Sequence, residues 1–144
     1  MKSASLVLCL LLSSAVSAGQ CASLERKVPE AERKAFAVAI EQHLKTGFSA
    51  SAAAIAYVRA EDLLNVLQIG SWFLVRASTH ASDDVYLFYA SRPDRADTYM
   101  AIWGGAAAVH EGPEIEAWAV EHVPGIPREL ARCFAALAVY GALE

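Results

Sequence analysis

The segment VYLFYAS, residues 85–91, decides the fold. Its first five residues are branched, aromatic or leucine, the composition of a strand. Val85, Leu87 and Tyr89 point to one side, and Tyr86 and Phe88 to the other. A strand with one wet face alternates apolar and polar residues. This one is apolar on both faces, so it is predicted to lie inside a sheet that is covered above and below.

Working outward, STHASDD precedes this strand as a turn, and RPDRAD follows it with Pro93 at a favoured corner. Upstream, VLQIGSWFLVRA (66–77) predicts one strand, with Gly70 inside it marking a bulge or kink. Downstream, TYMAIW (98–103) predicts a third strand, again apolar on both sides. Tyr99, Ala101 and Trp103 oppose Met100 and Ile102. Gly104 and Gly105 close it, and AAAVHE (106–111) is read as a short fourth strand. Strands in succession on short turns make an antiparallel meander of three or four strands.

Helical patterns flank the meander. VPEAERKAFAVAIEQHLKTG (28–47) carries Phe36, Ile40 and Leu44 at four-residue spacing, with Glu30 and Glu32 at its start and Lys45 at its end. GPEIEAWAVEH (112–122) opens with Pro113 at a helix start. RELARCFAALAVYGALE (128–144) places Leu130, Cys133, Phe134 and Leu137 on one stripe. Residues 48–65 fit either a helix begun by Ser49 or Ser51, or a loop and short strand. The expected class is α+β, with the meander packed against N-terminal and C-terminal helices.

The first and last helices are expected to cover one sheet face. The other face must be covered by the remaining helix, by a second copy of the chain, or by a partner. Tyr86, Phe88, Tyr99 and Trp103 are therefore a candidate binding surface, since aromatic residues are enriched at interface cores. Which of them share a face depends on the strand register.

The polar candidates are few. His80, Asp83 and Asp84 share the STHASDD turn and form a candidate polar cluster for metal or acid–base chemistry. The competing reading is a solvated hairpin. His110 and Glu111 lack the second histidine of a zinc helix motif, and Pro113 would disturb that helix. Ser71 is not in a nucleophile elbow, and Gly104-Gly105 lacks the spacing and lysine of a phosphate loop. SRPDRAD alternates Arg92, Asp94, Arg95 and Asp97 as a surface loop with weak ion pairs. His43 is a boundary residue of the first helix. No catalytic residue, metal ligand or cofactor is assigned.

The chain opens with Lys2, an apolar run (Ala4–Leu12) and small residues, the pattern of a secretory signal cut after Ala18. No later run is long and apolar enough to span a bilayer. The remainder, residues 19–144, is read as one α+β domain. Lipidation of Cys21 asks for a small residue before it, and Gln20 stands there instead. With Cys9 lost in the leader, Cys21 and Cys133 are left as a pair for a disulfide. That bridge would close a loop of roughly 110 residues, worth about 4–5 kcal/mol in chain entropy. A buried free thiol at Cys133 is the alternative.

Removing Lys2 with the leader leaves 11 basic against 16 acidic residues, a charge of −5. Without a basic patch, nucleic acid is not an expected partner. The expectation is an exported, soluble, non-enzymatic binding module of the inhibitor, immunity or envelope accessory type, whose partner is another envelope or secreted protein. A homodimer through the last helix is also compatible. The alternative is a small hydrolase or ligand-binding enzyme with its site between sheet and helices.

Overall fold

The computed structural model describes residues 18–81 and 83–143. The expected secretory signal lies, through residue 17, outside the described residues. The order is α1 (Ala18–Ala22), α2 (Glu30–Gly47), α3 (Ala50–Ile55), β1 (Leu63–Ile69), β2 (Trp72–Ala77), β3 (Val85–Tyr89), β4 (Tyr99–Gly104), α4 (Gly112–His122) and α5 (Arg128–Tyr140). The strands form one antiparallel sheet in the order β1-β2-β3-β4. The class is α+β, as expected.

Two of the four strands differ from the sequence reading. Residues 66–77 are not one strand bent at Gly70 but the two arms of a hairpin, in which Ile69 pairs with Trp72. Gly70 has φ +56° and is the first of the two turn residues. Two-residue hairpins favour glycine there because its positive φ matches the twist of the strands. Residues 106–111 are not a strand. They form a loop and a 3₁₀ turn over Val109–Glu111 leading into α4. The open region 48–65 resolves as both alternatives at once. Ser49 caps α3 through a bond from the Ala52 amide, and β1 begins at Leu63.

All five residues of β3 are buried. On one face, Phe36, Ile40 and Leu44 of α2 pack with Val66, Phe73, Val75, Leu87 and Tyr89. Gly47 lets the end of α2 approach β4 closely, since a Cβ there would stand 3.2 Å from Ile102 Cγ2. On the other face, Leu130, Phe134 and Leu137 of α5 and Ile115 and Ala119 of α4 pack with Leu67, Leu74, Tyr86 and Phe88. The first long helix and the last therefore lie on opposite faces, not on one. Each helix has a single apolar stripe, and a sheet greasy on both sides needs a layer for each. Every large apolar side chain so buried contributes about 1.5–3 kcal/mol.

The sulfurs of Cys21 and Cys133 lie at disulfide distance, 2.13 Å, with Cα atoms 5.3 Å apart. Such a pair points to an oxidising, extracytoplasmic compartment. It joins the N-terminal segment to α5. The segment then runs along the outer edge of β1, where Arg26 N–H donates to Val66 O (2.8 Å) and Gln68 N–H to Leu24 O (2.9 Å). That edge is thereby covered, which removes a template for pairing with other chains. No described helix is long and apolar enough to cross a membrane.

Candidate binding surfaces

The four aromatic residues singled out on the sheet do not form one open face. Tyr86 and Phe88 are buried, 3% and 0% exposed, beneath α5. Phe134 meets both edge-on, at 5.2 and 4.9 Å between ring centres. The Tyr86 hydroxyl donates to Leu137 O. Burial pushes its acidity toward higher pH, against the pull of Arg76. Tyr99 lies on the opposite face. Between Phe88 and Tyr89 the register with β4 shifts, so that Phe88 faces Ala101 but Tyr89 faces Tyr99. The extra residue in β4 breaks the alternation that would have put Tyr99 beside Trp103.

Trp103 is only partly buried on β4, the strand whose outer edge carries no further strand among the described residues. Its ring packs edge-on against Tyr86 and Phe134. From α4, Trp118 reaches the same core, touching Phe88 and Phe134 and stacking on His122. Trp103 and Trp118 wall a hollow of about 240 Å³ together with Ile115, Glu111 and Glu114. Glu111 accepts a bond from the Ala108 amide, which holds the turn entering α4. Glu114 is exposed in the first turn of that helix. Two indole rings beside two carboxylates make a surface suited to a cation. Trp118 and Glu114 escape a reading of sequence because their partner Trp103 is on another element. Nothing local marks the encounter.

The polar cluster of the STHASDD turn divides. His80 has φ +58° and turns to Asp62, with Nε2 2.8 Å from Oδ1, while its ring stacks on Tyr57 at 4.3 Å. The other oxygen of Asp62 accepts the Arg59 amide at 2.8 Å. Asp84 pairs instead with Arg76 at 2.7 Å, and Arg76 also donates to Gly141 O at the end of α5. Asp83 and Asp84 line a hollow with Arg76, Tyr86 and Tyr140, away from the His80–Asp62 bond. His110 and Glu111 sit in the turn before α4, and His122 Nδ1 bonds to Trp118 O within α4. No three described His, Cys, Asp or Glu side chains are grouped so as to hold a metal ion.

His43 holds a polar contact that sequence did not disclose. Its Nδ1 lies 3.0 Å from the Tyr89 hydroxyl, and its ring stacks on Tyr99 at 4.6 Å. Burial lowers the His43 pKa below its ordinary value. Burial raises that of Tyr89, with Tyr99 adding to the effect. The contact is thus between a neutral imidazole and a phenol that keeps its proton. Compared with known proteins, the chain matches no family model, no curated protein and no solved structure.

Proposed function

We propose that this chain is an exported, non-enzymatic binding domain that captures another envelope or secreted protein through the Trp103–Trp118 hollow. The observation that supports this reading is the partly buried indole pair bordered by Glu111 and Glu114 between β4 and α4. The chemistry fits a basic side chain of the partner, with the cation over the rings and its charge met by the carboxylates. The leader pattern and the Cys21–Cys133 pair support export.

The test is affinity capture from envelope and secreted fractions, with crosslinking mass spectrometry to locate the contact. A specific partner should crosslink through a lysine or arginine region to the hollow. Trp103→Ala and Glu114→Lys should each weaken capture by about tenfold or more, the scale of an interface anchor. Glu114 is exposed, so its variant keeps the fold even if Trp103→Ala loosens the core. A folded Glu114→Lys variant that captures the partner as well as the parent would refute the reading.

A further inference from the structure

A second hollow, on the side of the sheet edge near β1 and the β3–β4 loop, has the opposite character. Arg26, Arg92 and Arg95 line a space of about 400 Å³ with Ser71 and Ser91 over Phe73. The chain as a whole carries −4, yet three of its 12 lysines and arginines meet here. They come from two separate segments: Arg26 from the N-terminal segment, and Arg92 and Arg95 from the β3–β4 loop.

Two of the three are held in place. Arg26 Nη2 donates to Glu32 Oε2 at 2.9 Å, and Arg92 Nη1 donates to Glu32 Oε1 at 2.8 Å. Arg92 also grips Asp94 with Nε and Nη2, at 3.0 and 2.8 Å. Each guanidinium lies over a buried ring, Arg26 over Phe73 at 5.6 Å and Arg92 over Phe36 at 5.5 Å. These contacts raise the affinity of Arg92 for its proton and lower that of Asp94, so the pair stays ionised.

The arrangement leaves donors over. A guanidinium has five N–H groups, and Arg26 uses one toward Glu32. Arg95 is exposed, its side chain makes no hydrogen bond or close ion pair among the described residues, and its charge acts on Asp94 only at longer range. Three guanidinium groups against Glu32 and Asp94 leave one positive charge in excess. Ser71 and Ser91 add hydroxyl donors. Arginine forks match a carboxylate with two parallel bonds, and the volume is that of small-molecule sites.

We infer that this hollow binds the carboxylate group of a small ligand, with Arg95 closing on it from the loop and Arg26 fixed behind it. The site is separate from the tryptophan hollow and independent of the function proposed there.

The test is an amide NMR titration of the full disulfide-bonded domain with sodium acetate, run beside sodium chloride and inorganic phosphate at equal ionic strength. Acetate should shift the Ser71, Ser91 and Arg95 amides along saturating curves, with an affinity about tenfold above that for chloride. Arg95→Gln should weaken acetate binding by about tenfold without changing the melting temperature. Lys27→Gln removes an exposed neighbouring charge outside the hollow and should leave binding unchanged. Three results would overturn the inference. One is shifts that follow ionic strength alone, and another is equal losses in Arg95→Gln and Lys27→Gln. The third is saturation by phosphate with none by acetate.

Discussion

Replacing Cys21 and Cys133 together by alanine should remove a large fraction of the stability of this domain. The two residues are 112 positions apart. For a closed loop of that length the chain-entropy relation gives about 16 cal/mol/K, or about 4.8 kcal/mol at 25 °C. Two adjustments act in opposite directions. Both cysteines are buried, so losing the sulfurs also opens small voids at α5. Residual structure in the unfolded chain reduces the entropy gained by cutting the tie. A loss of about 4 kcal/mol is the expected outcome, against a typical total of 5–15 kcal/mol. Urea titration followed by tryptophan fluorescence measures it, because Trp72, Trp103 and Trp118 all pack against the core joined by the bridge. Oxidised parent, reduced parent and the double variant should be compared. The two unbridged forms should agree and should unfold with a steeper slope, since their unfolded chains expose more surface. Hydrogen exchange adds a local reading. The Arg26 and Gln68 amides, which tie residues 24–26 to β1, should lose protection. If both amides stay protected and the unfolding free energy falls by less than about 1 kcal/mol, the edge segment holds without the bridge and the loop-closure reasoning fails.

Two further outcomes follow from the polar contacts. Asp62→Ala strands the Arg59 amide and removes the acceptor of His80, so it should destabilise by about 1–3 kcal/mol in thermal or urea unfolding. Asp62→Asn, which keeps one acceptor oxygen, should cost less. An equal cost would show that charge, not bonding, matters there. For His43, burial holds the native pKa below 6.5, so the unfolded chain takes up the proton first. The resulting stability is fully present above pH 6.5 and is lost as pH falls through 6.5 to the depressed native value. The slope should vanish in His43→Asn, and the imidazole signal should titrate below 6.5 by NMR. A midpoint at or above 6.5 contradicts the burial assigned to this imidazole.

The sequence was most legible where a physical pattern is local. Phe36, Ile40 and Leu44 recur with the helical period, and all three are fully buried beneath the sheet. The stripe Leu130, Cys133, Phe134 and Leu137 behaves the same way in α5. The Gly70-Ser71 turn was less legible. A glycine between two apolar runs fits a kinked strand as well as a hairpin until pairing of Ile69 with Trp72 is seen. The four sheet aromatics are separated by two things: α5 covers Tyr86 and Phe88, and one residue of register moves Tyr99 to the other face. The shift opposite Tyr89 sends Tyr99 to the α2 side, where it stacks on His43, and leaves Trp103 under α5.

What sequence alone determined was the inventory: apolar segments of the right period, turns between them, and cysteines at positions 21 and 133. Period and turn chemistry act over a few residues, so they can be read from neighbours in the chain. The tertiary structure decided which surfaces meet. It put α2 and α5 on opposite faces, sent His80 to Asp62 and Asp84 to Arg76, and gathered Arg26 with Arg92 and Arg95. Those encounters join residues far apart in the chain. They are set by how two helical layers close over one sheet, and no short window of sequence contains that information.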